Sequence, residues 1–298
     1  MQMVAQENST NSKNSPLIPI EKTVNHLGNN IAVKLYKNKN KPTIILLHGF
    51  PDNSHLYDLL IPELIYDFEI VVFDFIGWGN SDKPEAYNYF SISQKEELNS
   101  VINALQIEKV ILLAHDASGP PAINWAIENE NKINKLVLLN TYYSNMPTLK
   151  APEAIWLFST PIIRGIARPL ARIGKSCIFH KMYYWQVGKF FSNMETKNNF
   201  LPILNEQFKN KKTQNAFFKL NKDLRATLKK NTQNISKLKS FNKPVQIIFG
   251  AEDKYLNIGV AKEFKKTFPN SDLHIVKNAK HFIQMDKPKE IKNIIVKF

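Results

Sequence analysis

The residues best placed to do chemistry lie in Val110 to Asn124, read VILLAHDASGPPAIN, where an apolar run stops at His115-Asp116 and a Gly/Pro-rich turn opens a helix. A turn sharp enough to expose a reactive side chain between strand and helix needs small residues two places to either side of it. Centred on Asp116 those flanks are Ala114 and Ser118, both small. Centred on Ser118 they are Asp116 and Pro120, one charged and one rigid, so serine is the poorer nucleophile candidate. Gly119 would relieve the approach of helix to strand, and Pro120 falls in the first turn, where a missing N–H costs little. A carboxylate with a reference pKa near ~3.9 is ionised at neutral pH and needs no base before it attacks. It suits displacement at a saturated carbon, which leaves a covalent ester. An aspartate can also simply cap a helix, and this stretch alone leaves both roles open.

The surrounding pattern says what positions that turn. Two short strand candidates, Lys22 to His26 and Ile31 to Tyr36, flank Gly28-Asn29-Asn30. Continuous apolar runs follow at Thr43 to Leu47, Glu69 to Phe73, Val110 onward, Leu136 to Leu139, Pro244 to Phe249 and Asp272 to Val276. Such runs read as strands buried on both faces. Amphipathic stretches alternate with them at Ser54 to Tyr66, Ser91 to Leu105, Ile258 to Phe268 and after Pro288. The alternation predicts an α/β fold with a doubly wound, mostly parallel, eight-stranded sheet. Residues 144–240 carry no buried strand but several helical stretches broken at Pro152, Pro161, Pro169 and Pro202. They are expected to form an inserted helical cap on a core of 20–143 and 241–298, behind a disordered tail at 1–19.

Ligand sites of such sheets form beyond the carboxyl ends of the strands. Four loops put polar residues there: His48-Gly49-Phe50-Pro51, Asp116-Ala117, Gly250-Ala251-Glu252-Asp253 and Ala279-Lys280-His281. On these motifs the chain resembles the aspartate-nucleophile branch of the α/β-hydrolase superfamily, which includes epoxide hydrolases and haloalkane dehalogenases, over about residues 21–298. The likeness is weaker in the cap. The resemblance implies that Asp116 is the nucleophile, His281 the general base and Asp253 its orienting acid, with Glu252 as the fallback. It also implies an oxyanion hole from the backbone N–H groups of Phe50 and Ala117. His48 is expected to brace its loop, as are Asp74 and Asp82 around Gly77-Trp78-Gly79, while His26, His55, His180 and His274 match no motif.

The resemblance implies less about the leaving group. Haloalkane dehalogenases usually follow the nucleophile with Trp and carry Asn in the His-Gly loop; here those places hold Ala117 and Phe50. The Arg that follows the nucleophile in fluoroacetate dehalogenases is missing too. Trp156 or Trp185 remain as halide donors. Ring-opening acids for an epoxide would be sought among Tyr142, Tyr143, Tyr183 and Tyr184. The pocket is expected to be apolar, lined by Phe50, Trp78, Trp156, Tyr183, Tyr184 and Phe282. The expected protein is a cofactor-independent, metal-free hydrolase of a small to medium apolar organic substrate. Epoxide hydrolysis is preferred; cleavage of a carbon–halogen bond, or ligand binding without catalysis, are the alternatives.

Composition narrows the partners. The formal net charge is +14, and within 151–240 alone 17 Lys and Arg stand against four acids. That is the pattern of a solvated helical surface, or of one that steers anions or docks on a membrane or an acidic partner. No nucleic-acid motif accompanies it. Cys177 is the only cysteine, which rules out an internal disulfide. No apolar stretch approaches the roughly 20 residues of a membrane span, and the polar start has no apolar signal region, so a cytoplasmic monomer or homodimer is expected.

Overall fold

The computed structural model describes residues 18–50, 52–162, 165 and 177–297. The expectations for the tail up to residue 17, Pro51, Pro169 and the basic residues Arg164, Arg168, Arg172 and Lys175 fall outside them, as do those for the side chains of Cys177 and His180.

Apolar runs with no polar face can only be satisfied inside a sheet covered on both sides. The strands are β1 (Ile20–His26), β2 (Asn29–Tyr36), β3 (Thr43–Leu47), β4 (Glu69–Phe73), β5 (Val110–Asp116), β6 (Ile133–Thr141), β7 (Val245–Gly250) and β8 (Ser271–Val276). They form one eight-stranded sheet in the order β1-β2-β4-β3-β5-β6-β7-β8. The β1/β2 and β2/β4 pairs are antiparallel and the rest parallel. Register decides which loops meet: Leu47 pairs with Phe73 and Ala114, Leu139 with His115 and Ile248, and Gly250 with Val276. The carboxyl ends of β3, β5, β7 and β8 therefore lie along one edge.

The helices are α1 (Ile61–Leu64), α2 (Ser91–Ala104), α3 (Gly119–Glu128), α4 (Glu153–Ser159), α5 (Cys177–Val187), α6 (Met194–Lys209), α7 (Lys211–Gln233), α8 (Ile235–Lys239), α9 (Ile258–Thr267), α10 (Ile283–Asp286) and α11 (Pro288–Val296). Three elements differ from expectation. Pro202 does not break a helix but lies inside α6. The amphipathic stretch from Ser54 divides into a 3₁₀ turn, Ser54–Tyr57, capped by the Asn53 side chain, and the short α1 with Pro62 in its first turn. Strand β6 runs well past its apolar core because the polar Asn140 and Thr141 stay in the ladder, where both are buried.

Helices α4 to α8 are inserted between β6 and β7. The longest, α7, buries Ala216, Phe217 and Leu220 and contacts α2, α4 and α6. Among the described residues, no helix is long and apolar enough to cross a membrane.

Candidate active site

β5 ends in a residue that L side chains rarely accommodate: Asp116 has φ +51°. That left-handed conformation costs free energy in a non-glycine residue and survives only where neighbours enforce it. Here several do. Thr141 Oγ1 donates to the Asp116 carbonyl at 2.5 Å. Ser118 Oγ accepts from the His115 N–H at 3.0 Å and lies within reach of the His115 and Leu47 carbonyls at 2.8 and 2.9 Å. The serine that a different reading would make a nucleophile is thus buried and occupied with backbone. A Cβ on Gly119 would collide with the Thr141 side chain and the Tyr142 carbonyl, so only glycine lets α3 start this close to β6.

The loop after β3 closes over the turn. A Cβ at Gly49 would lie 2.8 Å from both Asp116 Cβ and His115 Nδ1. The glycine therefore lets the Phe50 N–H reach Asp116 Oδ2 at 3.0 Å; the Ala117 N–H bonds the same carboxyl group. His48 braces this loop, accepting from the Phe75 N–H at 3.0 Å and donating to the Gly49 carbonyl at 2.7 Å. Asp74 accepts from the Ser54 and Asn80 N–H groups, and Asp82 from that of Asn30.

The other two loops bring His281 and Asp253 together. His281 Nδ1 donates to Asp253 Oδ2 at 2.8 Å; this bond is made by Asp253 and not by its neighbour Glu252. Asp253 is further held by the N–H groups of Tyr255 and Leu256 on Oδ1 and by Asn140 Nδ2, 2.8 Å from Oδ2. Asn140 in turn accepts from the Gly250 N–H at 2.9 Å. The fully buried His115 donates through Nε2 to the His281 carbonyl at 3.0 Å, and its ring lies 4.6 Å from that of His281. Burial, and then His281, hold His115 well below the usual histidine range, so it is neutral.

Charge in the site is coupled. Burial raises the Asp116 carboxyl above its usual range, opposed by His281 and by the Phe50 and Ala117 N–H groups. The free-carboxylate value assumed from sequence thus does not carry over. For Asp253 burial also acts upward but is outweighed by His281 and the hydrogen bonds, leaving it lowered and ionised. Burial pulls His281 down, while Asp253, Asp116 and Asp52 push it up to about 9.

Asp52 and Asn140 are the residues that sequence reasoning missed. Asp52 is buried, neither carboxyl oxygen has a hydrogen-bond partner among the described residues, and its pKa is pushed up to about 8 by burial and then by Asp116, against His281. The only signals were an acid directly behind the His-Gly-Phe-Pro run and an Asn closing an otherwise apolar strand.

A cavity opens over Asp116, Ala117, Phe50 and His281, with apolar walls that include Leu149, Ile155, Val187 and Leu224. Tyr142 and Tyr183 line it, both phenols held well above their usual range by burial first and acidic neighbours second. The Tyr183 hydroxyl has no hydrogen-bond partner among the described residues. Several expected wall residues lie elsewhere. On α5, Tyr183, Gln186 and Val187 face the cavity; at 3.6 residues per turn this aims their neighbours away, and Tyr184 is 40% exposed and Trp185 61% exposed. Trp156 is 49% exposed on the outer side of α4. Trp78 is buried behind Phe50, ring centroids 5.4 Å apart. Phe282 packs against His115, Phe191 and Phe200 beneath the site. Tyr143 donates to Asn124 Oδ1 at 2.8 Å and does not line the cavity. Among the described residues, no group of three or more His, Cys, Asp or Glu stands as a metal site.

Comparison with known proteins agrees with this architecture. Epoxide hydrolase 3 of Xenopus tropicalis is 24% identical over 283 residues, spanning 87% of this chain and 72% of that protein. A haloalkane dehalogenase, the DbeA-M1 loop variant from Bradyrhizobium elkanii, superposes with a TM-score of 0.76 at 18% identity over 93% of this chain and 94% of its own. The meta-cleavage product hydrolase from Pseudomonas fluorescens IP01 does so with 0.76 at 17% identity over 93% and 96%. The solved structures speak for the fold alone. Residues 42–288 match the alpha/beta hydrolase fold family itself, and the chain belongs to that family as one of its hydrolases.

Proposed function

We propose that the protein hydrolyses an epoxide on a small to medium apolar substrate through an alkyl-enzyme ester on Asp116, with helices α4 to α8 acting as a cap over the site. The observation that carries this reading is the Asp116 carboxyl group itself. It stands at the mouth of the turn with Oδ2 on the Phe50 N–H, opposite a histidine already paired with a carboxylate.

With Oδ2 held, Oδ1 is the oxygen that bonds to the epoxide carbon while the carbon–oxygen bond of the ring breaks. The departing alkoxide takes a proton from Tyr142 or Tyr183, whose phenols burial keeps neutral. Ester formation removes the charge of Asp116, one of the groups that push His281 upward. The imidazole is then freer to take a proton from water as that water attacks the ester carbonyl carbon. Negative charge gathers on Oδ2, between the Phe50 and Ala117 N–H groups; losing one such donor typically costs about 10² to 10³ in rate. Asp253 stays ionised and holds the imidazole in the required tautomer. Collapse expels the ester oxygen of the substrate, which takes the proton held by His281 and leaves in the diol. The carboxyl group, now carrying one oxygen from water, gives its proton back to the tyrosinate and is a carboxylate again.

Halide departure is the weaker alternative. Trp156 and Trp185 are turned to solvent, which leaves no indole N–H of theirs to hold the ion, whereas an alkoxide finds two phenols. The test is His281→Gln incubated with a panel of epoxides and haloalkanes and read by intact mass. An adduct from an epoxide supports the reading. An adduct from haloalkanes alone shifts it to dehalogenation, and the absence of any adduct across the panel overturns it.

A further inference from the structure

We infer that the cavity contains a second recognition point, formed by Ser91, Gln94 and Asn221, which takes a neutral hydrogen-bond donor such as a hydroxyl or a primary amide on the bound molecule. The inference rests on the preceding reading only in calling that molecule a substrate.

Buried polar atoms in folded proteins are almost always paired. Among the described residues Ser91 Oγ, Gln94 Oε1 and Asn221 Oδ1 are buried without any partner, and all three residues line the cavity over Asp116. Their residues are 8%, 6% and 1% exposed. Of the other unpartnered buried atoms, those of Asp52 and Tyr183 couple to one another beside the catalytic groups. Those of His115, Thr213, Gln246 and Gln284 belong to residues outside the cavity lining.

The three residues come from two elements in contact. Ser91 and Gln94 stand one turn apart on one face of α2, and Asn221 comes from α7, which packs against α2. Residues three apart on a helix are neighbours. The amide of Asn221 is oriented by its other end: Nδ2 donates to the Phe217 carbonyl at 2.9 Å. A carbonyl can only accept, so Oδ1 is fixed as the free atom.

The chemistry of the locus selects its ligand. Asn221 and Gln94 present acceptor oxygens, and the Ser91 hydroxyl either donates or accepts. A bound group must therefore bring at least one N–H or O–H; an ether or ester, which only accepts, would leave both amide oxygens unmet. Charge is disfavoured. Asp223 also lines the cavity; of the cations there, Lys150 is exposed and His281 is already paired with Asp253. A carboxylate would lose its water without gaining an unpaired buried counter-ion. The apolar wall between this point and Asp116 then accommodates an aliphatic chain carrying a hydroxyl or amide apart from its reacting carbon.

The test separates recognition from catalysis by using molecules that do not react. Calorimetry with the full chain compares hexan-1-ol with 1-methoxyhexane, which only accepts. Wild type is expected to favour the alcohol by about tenfold, the effect of one net hydrogen bond. Gln94→Leu and Ser91→Ala, each checked for a wild-type circular dichroism spectrum, should bring the ratio towards one, while Asp116→Asn should keep it. A ratio near one in wild type, or a preference that disappears in Asp116→Asn and persists in both other variants, would overturn the inference. A parallel arm compares kcat/KM for 1,2-epoxyhexane and 5,6-epoxyhexan-1-ol. If neither is turned over but the binding ratio behaves as stated, the epoxide reading fails and the recognition point stands.

Discussion

Replacing Asp253 by Asn should uncouple the two halves of the proposed reaction. Both oxygens of Asp253 are fully used: Oδ1 accepts from the Tyr255 and Leu256 N–H groups, and Oδ2 from His281 Nδ1 and Asn140 Nδ2. An asparagine of the same shape must turn its –NH₂ to one side or the other. Towards Oδ2's partners, it sets a donor against His281 and Asn140; towards Oδ1's partners, it sets a donor against two backbone N–H groups. Either way two buried donors lose their acceptor. At about 1–3 kcal/mol each, stability should fall by roughly 2–6 kcal/mol. If the chain still folds, the preferred outcome is the one that keeps the backbone bonds, which forces His281 towards the wrong tautomer. The corresponding change in Ser-His-Asp proteases lowers kcat by about 10⁴, or roughly 5.4 kcal/mol of barrier. In a two-step ester mechanism that loss belongs to the second step alone. The first needs no base, and Asp253 is among the groups that raise the Asp116 carboxyl, so removing its charge favours the attacking form. Rapid-quench mass spectrometry should therefore show the ester forming at close to the wild-type rate and decaying about 10⁴ times more slowly. Equal slowing of both steps, or turnover within tenfold of wild type, would refute the reasoning.

Further expectations concern the residues around that pair. In Ser118→Ala the turn loses a buried brace, so stability should fall by about 1–2 kcal/mol while ester formation on Asp116 persists; loss of the mass adduct in a folded variant would return the serine to contention. Asp52, raised from 3.8 to about 8, keeps its proton in the folded chain where the unfolded chain has lost it. Its contribution to stability therefore falls as pH rises through that window. His281, raised from 6.5 to about 9, adds stability that is full below 6.5 and lost as pH rises through about 9. Asp52→Asn should thus raise the melting temperature at pH 8 more than at pH 4; parallel melting curves against pH would count against this account of Asp52.

The sheet was legible because burial on both faces writes itself as unbroken apolar runs: Thr43 to Leu47 and Glu69 to Phe73 have the strand limits that the residues suggest. The site loops were legible for a related reason, since each directly follows such a run. Asn140 was hidden because its task, holding Asp253 across 113 residues of sequence, leaves no local trace. Asp52 looks like any acid in a turn, and only the enclosing fold makes it a buried titrating group. The cavity wall was the least legible part. Which face of α5 turns inward depends on its rotation against α6, and aromatic content alone could not separate Tyr183, which faces the cavity, from Tyr184 and Trp185, which do not. Trp78 and Phe282 were misplaced for the opposite reason: aromatics near a site also form the layer that holds it in place.

The central claim, that a carboxyl oxygen of Asp116 becomes bonded to the substrate carbon, is tested most directly by the fate of oxygen in one turnover. With enzyme in excess over a hydrolysed epoxide in H₂¹⁸O, the first diol released should carry no label, and one labelled oxygen should appear in the peptide containing Asp116. Label in the diol of that first turnover, with Asp116 unlabelled, would mean that water attacks the substrate directly and would contradict the account.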